Sequence, residues 1–559
     1  MESLKLSSPP SKIKPILIQK YASGRNRNEK HLQKYSISSS QTFRIQDLSQ
    51  LNQQLPKTLA SQHKLSKLEY EFKPNFFPES DPFPTPIKNF FSQIKNLQST
   101  TAFSLHVSQS FRFSVQSCLQ PLMMSLASLK NLSSLSIKFC SSIRDLELLK
   151  MLFKYLKRIK TLANISISFK ILNTLSIPHL DILSSGLSKL LQLRSLELSF
   201  DEPFELHGYM INRLTLTLPK LHFLTKICFH FNEESIPSDA VLKLFSCFKN
   251  IKTLSDLALS LQSQSANNSK EPISQGLSLL DPLRIRKLNL QSYQHFDNNC
   301  LIQFSEALIK FTSLHTFQFS LTSYQPSQEE AATALISALS GLTSLCSLTI
   351  LLNSPNCNKI VKGISIPFKH LKILVHLDLQ ILGHTASATN EDIRQLFLNL
   401  RFLKSLRFLT LAYPQKGIDD ENLKTLAESL KEIPLLQNLL LDFSCASLVT
   451  NQGVEVLTSS IKTLRSLSGL KIWLRRNDNV DNETIDQIVE ILQGLPCLYS
   501  VDLNFLLCSK ITCFDELLKA LIETKSIGEV ALSLPSSVVK SREITQLMET
   551  KVVQRMTSF

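Results

Sequence analysis

At 559 residues, with 43% apolar and 19% charged side chains, the chain has the composition of a folded protein with a large core, not of a disordered one. Gly is scarce, twelve in all, and nowhere spaced as GxGxxG or GxxxxGKS/T; a loop that cradles phosphate needs Gly where backbone approaches it, so dinucleotide and P-loop sites are disfavoured. The formal charge of +15 is uneven: residues 1 to 60 hold ten Lys or Arg against three acids, a net of +7. The mild surplus over the remainder suits solubility better than a nucleic-acid footprint.

From the N-terminus, residues 1–45 are Ser-rich and basic with little periodicity, and are expected to form a disordered arm. Ser8 before Pro9 is a candidate phosphorylation site within it. There is no apolar core of signal-peptide length, and nowhere do eighteen apolar residues run together. A cytoplasmic or nuclear protein that does not span a membrane is expected. The eleven Cys contain no CxxC and are odd in number, so neither a disulfide framework nor a zinc site is indicated and the thiols read as reduced and mostly buried.

Residues 46–110 carry two weak copies of a pattern, LSKLEYEF from Leu65 and TAFSLHV around Phe103, and read as a cap with degenerate repeats. Over 111–534 the pattern LxxLxL plus one more apolar residue recurs. Examples are LSSLSIKF from Leu132, LANISISF from Leu162, LRSLELSF from Leu193, LRFLTLAY from Leu406, LSGLKIWL from Leu467 and IGEVALSL from Ile527. Fourteen units follow one another at spacings of 29 to 32 residues. Alternation of apolar residues predicts a strand in each. The intervening segments, such as PSDAVLKLFSCF, TNEDIRQLFLNL, DDENLKTLAESL, TNQGVEVLTSSI and DNETIDQIVEIL, have helical spacing and open on Ser, Thr, Asp or Asn with early acids. Strand and helix recurring every thirty residues predict a solenoid, since no single unit could bury its own apolar face. Residues 535–559, with SREITQLMETKVVQRM, read as a C-terminal capping helix.

These units resemble leucine-rich repeats of the ribonuclease-inhibitor-like class, GIDDENLKTLAESLKEIPLLQNLLL most closely, while LSIKFCSSIRDLELLKML resembles the cysteine-containing class with Cys140 in the usual Asn place. The resemblance implies an α/β solenoid with a curved parallel sheet on the concave side and helices on the convex side. It also implies Asn at position 9, counting the first Leu as 1. Here only Asn232 and Asn353 fall there, and Lys170, Asp201, Tyr293, Pro414 and Pro535 stand in other copies. Position 8 is usually Phe, Leu or Ile, as in Phe139, Phe169, Phe200, Phe231 and Phe443. Positions 4, 6 and 8 therefore point inward, and the Phe residues form a spine in the core, not a ligand box.

Positions 3, 5 and 7 then face outward. That face is small and polar in early units (Ser134, Ser136, Lys138) and richer in later ones: Phe408; Leu440 and Asp442; Lys471 and Trp473; Asp502 and Asn504. Trp473, the one Trp of the chain, lies in KIWLRR beside Arg475 and Arg476. It reads either as an anchor for a partner or as a Trp covering the sheet near the C-terminal end. Asp442 and Asp502, two strands apart, read as surface charge, and Cys228 beside His230 on one outward face lacks a visible orienting group. No catalytic, metal or cofactor site and no small-molecule substrate is expected. The expected function is a non-catalytic scaffold binding a protein of unknown identity. The alternatives that the resemblance implies are a Ran-type GTPase-activating regulator and a ubiquitin-ligase substrate receptor.

Overall fold

The computed structural model describes residues 41–45, 65–72, 94–107, 115–140, 146–170, 175–200, 206–232, 236–262, 271–296, 298–324, 329–353, 358–382, 389–415, 417–534 and 542–557. The expected arm thus lies outside the described residues up to residue 40, and its last five residues form a strand. The chain divides into two compact units, Met1–Leu206 with Leu216–Leu224, and His207–Thr215 with Thr225–Phe559.

In the first unit, β1 (Gln41–Ile45), β2 (Leu65–Phe72), β3 (Ala102–Val107), β4 (Ser134–Phe139), β5 (Asn164–Phe169) and β6 (Ser195–Phe200) are paired in chain order. Every pairing is parallel. Parallel neighbours need a crossover between them. The helices α1 (Val115–Ala127), α2 (Leu146–Leu156) and α3 (Ile177–Leu187) supply it along the later strands. The strands β4, β5 and β6 alternate half-buried and buried residues throughout, as positions 3 to 8 require. Their register sets Phe139 opposite Phe169 and Phe169 opposite Phe200. All three rings are buried and stack with centroids 5.7 and 5.3 Å apart. The spine is present as expected, and one repeat cannot complete it without the next.

Helix α4 (His207–Thr217) contributes residues to both units. The second unit continues with β7 (Lys226–Asn232), α5 (Ser238–Asn250), β8 (Asp256–Gln262), α6 (Glu271–Leu279), β9 (Lys287–Phe296), α7 (Asn298–Leu308), β10 (Thr316–Tyr324), α8 (Glu329–Gly341), β11 (Ser347–Leu352), α9 (Asn358–Gly363) and β12 (His376–Ile381). It ends with α10 (Asn390–Asn399), β13 (Phe408–Ala412), α11 (Asp420–Lys431), β14 (Asn438–Asp442), α12 (Asn451–Ile461), β15 (Gly469–Trp473), α13 (Asn482–Gly494), β16 (Ser500–Asn504), α14 (Asp515–Glu523), β17 (Glu529–Ser533), α15 (Arg542–Thr550) and β18 (Val552–Thr557). Successive strands pair in parallel from β7 to β18. Each unit is one parallel sheet with one layer of helices, the leucine-rich-repeat solenoid architecture.

Four of the five helix starts named from sequence carry side-chain caps; α5 instead has Pro237 at its N-cap and no side-chain cap bond. Thr389, Asp419, Thr450 and Asp481 each accept a hydrogen bond from a backbone N–H of the first turn, which satisfies donors the helix cannot. Two features differ from the sequence expectation. First, the C-terminal segment is not a helix alone. After α15 the chain adds β18, which covers the otherwise open edge of β17. The junction is tied by Lys551, whose ammonium donates to Thr524 and Ile527 carbonyls at 2.9 Å each; burial lowers its pKa.

Second, three turns near the C-terminal end bury a residue at position 11, two places beyond the Asn position of the family pattern. In the turns after β14, β15 and β16, position 10 is left-handed at Cys445, Arg476 and Leu507, with φ of 65°, 58° and 62°. The next residues, Ala446, Asn477 and Cys508, are buried. The rungs run on through these turns: Cys445 N–H donates to the Arg475 carbonyl at 2.7 Å, Arg476 N–H to Leu506 at 2.9 Å, and the Cys508 thiol to the Leu474 carbonyl at 3.0 Å. In these three turns the strand pairing plus a left-handed residue uses up two extra positions before the chain turns inward.

Candidate functional site

The outward face of β12 to β17 is ordered in rows by strand register. One row runs His376, Phe408, Asn438, Gly469, Ser500. The next runs Asp378, Thr410, Leu440, Lys471, Asp502, Ala531, and the third Gln380, Ala412, Asp442, Trp473, Asn504, Ser533. Side chains in a row sit on neighbouring strands about 4.8 Å apart, and rows are about 6.6 Å apart along the strands.

Three predicted residues meet directly. The Trp473 indole N–H donates to Asp502 Oδ1 at 3.2 Å, and Lys471 Nζ lies 3.7 Å from Asp502 Oδ2. The Asp502 side chain is 11% exposed while that of Lys471 is 46% exposed. The carboxylate is therefore the buried base of the cluster, holding one donor from the indole and one cation from the same strand. Leu440, half-buried, is the row neighbour of Lys471 on the other side. Gly469 keeps the approach low: a Cβ there would lie 2.2 Å from Asn438 Oδ1.

The other predicted residues are placed differently. Asp442 Oδ1 accepts from the Ser444 N–H at 3.0 Å and its hydroxyl at 2.6 Å, and Asn504 Oδ1 accepts from the Leu506 N–H at 3.2 Å. Both close the turn that follows their strand. Phe408 is two strands and two rows from Trp473, roughly 16 Å away. It stacks instead on His376, centroids 5.9 Å apart. That pairing was not anticipated from sequence, although His376 and Phe408 share position 3 in consecutive repeats. Asp442 and Asp502, one row and two strands apart, each serve local donors.

Further along the outward face, Cys228 Sγ and His230 Nε2 of β7 are 3.1 Å apart. Nine of the described cysteines are thiols outside any disulfide. They are less uniformly buried than expected: Cys247, Cys300 and Cys508 are buried, but Cys497 and Cys513 are exposed. Burial pushes the Cys247 thiol up to about 12 and, as the main cause, Cys508 up to about 11. Among the described residues no helix is long and apolar enough to cross a membrane.

No family model matches the chain, and no curated protein matches it. Among solved structures, the chain is similar to the leucine-rich repeat-containing protein LegL7 from Legionella pneumophila, with 16% identity and a TM-score of 0.31 over 71% of this chain and 97% of that one. It is also similar to a protein from Bacteroides fragilis, with 12% identity and a TM-score of 0.25 over 58% of this chain and 68% of that one. The fold assignment rests on the repeats and pairings above and not on these likenesses.

Proposed function

We propose, taking the leucine-rich-repeat stack as the premise, that this protein is a non-catalytic scaffold which binds a partner protein on the outward sheet face of β14 to β16. One observation carries the reading. The only Trp of the chain stands half-exposed on that face with its indole N–H held by the buried carboxylate of Asp502. An aromatic fixed in one orientation loses little freedom on binding, and Trp and Arg dominate interface energetics. Leu440 and the stem of Lys471 widen the apolar surface around it. A repeat surface of this kind binds without chemistry, because its rigidity comes from the stack. Neither the GTPase-activating nor the ubiquitin-ligase alternative gains a specific observation among the described residues. The reduced thiols support placing the protein in the cytoplasm or nucleus.

The test is site-specific photo-crosslinking in cells of the native organism, with the photoreactive residue at Leu440 or, as comparison, at Ser136 on the outward face of the first unit. A discrete product at 440 and none at 136 supports the reading. A product at 136 with none at 440 would move the interface elsewhere.

A further inference from the structure

The first unit holds a feature that the sheet face does not explain. Between α2 and α3, on the helix side, lies a cavity of about 350 Å³, within the size range of small-ligand sites. Its floor is apolar and fixed by packing: Phe153 is 6% exposed, and a Cβ on Gly186 would lie 2.2 Å from the Phe153 ring. The ring can lie against α3 there because residue 186 is Gly. The rim is cationic, with Lys150, Lys154 and Lys157 from α2 and its end and Lys189 just past α3, against one acid, Asp181.

The three lysines at i, i+4 and i+7 share one stripe of the helix, where like charges repel. A helix C-terminus attracts cations in its last turn, but Lys150 lies in the middle of α2. Lys150 bonds Glu147 at 2.5 Å; Lys154, Lys157 and Lys189 form no ion pair among the described residues. An anion in the cavity would remove this repulsion. From Lys150 to Lys157 the helix rises about 10 Å, too far for one phosphate to touch every ammonium. The ligand therefore carries two or more anionic groups on a compact frame. The Ser185 hydroxyl provides a partner for a hydroxyl group on that frame. We propose that this cavity binds a small polyol carrying two or more phosphates, whether free or as the headgroup of a phosphoinositide lipid. The proposal stands apart from the partner site on the sheet.

Isothermal titration of the full chain with inositol trisphosphate tests it, beside inorganic phosphate as the single-phosphate comparison. The expected result is one saturable site for inositol trisphosphate, much weaker binding of inorganic phosphate, and a loss of about tenfold or more in Lys154→Ala with Lys189→Ala. Lys310→Ala, an exposed cation of the second unit, should leave affinity unchanged. Binding to phosphatidylcholine vesicles containing phosphatidylinositol bisphosphate, but not phosphatidylserine, assigns the lipid source; binding in solution only assigns the free one. The proposal is overturned by no heat of binding, by affinity that the double variant leaves unchanged, or by an acidic peptide that displaces the probe at lower concentration than inorganic phosphate does. Unchanged affinity would mean diffuse attraction to a chain of charge +15.

Discussion

Replacing Phe169 by alanine removes the middle ring of the Phe139, Phe169, Phe200 stack. Phe169 is 1% exposed and stacked on both sides, at 5.7 and 5.3 Å. A buried Phe→Ala change costs about 3–5 kcal/mol, because transfer free energy is lost and the cavity collapses only in part. Two ring contacts worth about 0.5–1.5 kcal/mol each place this site in the upper part of that range. Phe169→Leu keeps much of the apolar volume but no ring, and is expected to cost about half as much. Urea denaturation followed by far-UV circular dichroism measures the loss, and hydrogen exchange resolved to peptides localises it. Protection should fall first in β4, β5 and β6, since a repeat communicates chiefly with its neighbours. A loss below about 1 kcal/mol for Phe169→Ala, or equal losses for Ala and Leu, would refute the spine as a stacked core element.

Packing, titration and thiol exposure yield four more expected outcomes. Gly186→Ala drives a methyl into the Phe153 ring and should cost about 1–3 kcal/mol, read as a lowered melting temperature; an unchanged value would contradict the close approach of α2 and α3. Asn477 is buried with neither end of its amide hydrogen-bonded, whereas the equivalent turn holds Ala446, so Asn477→Ala should raise stability by about 1 kcal/mol; a loss would show that the amide is bonded in solution. Because Cys247 and Cys508 have folded-state pKa values of about 12 and about 11 against an ordinary 9.0, they stay protonated in the folded state when the unfolded state has lost its protons. Stability from these thiols is therefore intact below pH 9 and declines as pH rises from there toward 12, and Cys247→Ala with Cys508→Ala should flatten the decline. At pH 8 an aromatic disulfide reagent should label Cys497 and Cys513 in the native protein and the two buried thiols only after unfolding.

The strands were legible because alternation at positions 4 and 6 is strict and position 8 departs from it at Ser292: all fourteen units begin a strand two residues after their first Leu or Ile. The caps were legible for a local reason, since Thr389, Asp419, Thr450 and Asp481 act within their own first turn. The turn after the strand was not. A left-handed Arg476 or Leu507 leaves no residue-type signature, and so the buried positions at Asn477 and Cys508 were not anticipated. Strands β1 and β18 were missed because QTFRI and VVQRMT carry no LxxLxL lead; a neighbouring strand recruits them. On the outward face, positions 5 and 7 singled out both Trp473 and Asp502, and the structure joins them by a hydrogen bond. Position alone could not show that Asp442 and Asn504 turn their oxygens into the following loop, or that Phe408 pairs with His376. The lysine stripe at 150, 154 and 157 was readable as a spacing, but its meaning depends on α3 supplying Lys189 and a Gly floor.

The central claim is that Trp473 anchors a partner on the outward face. It is tested most directly by calorimetric titration of the partner identified by crosslinking into wild type and Trp473→Ala, with circular dichroism confirming that the variant is folded. Loss of a central aromatic anchor is predicted to weaken binding by about 2 kcal/mol or more, roughly thirtyfold. Equal affinity for the two proteins would contradict it.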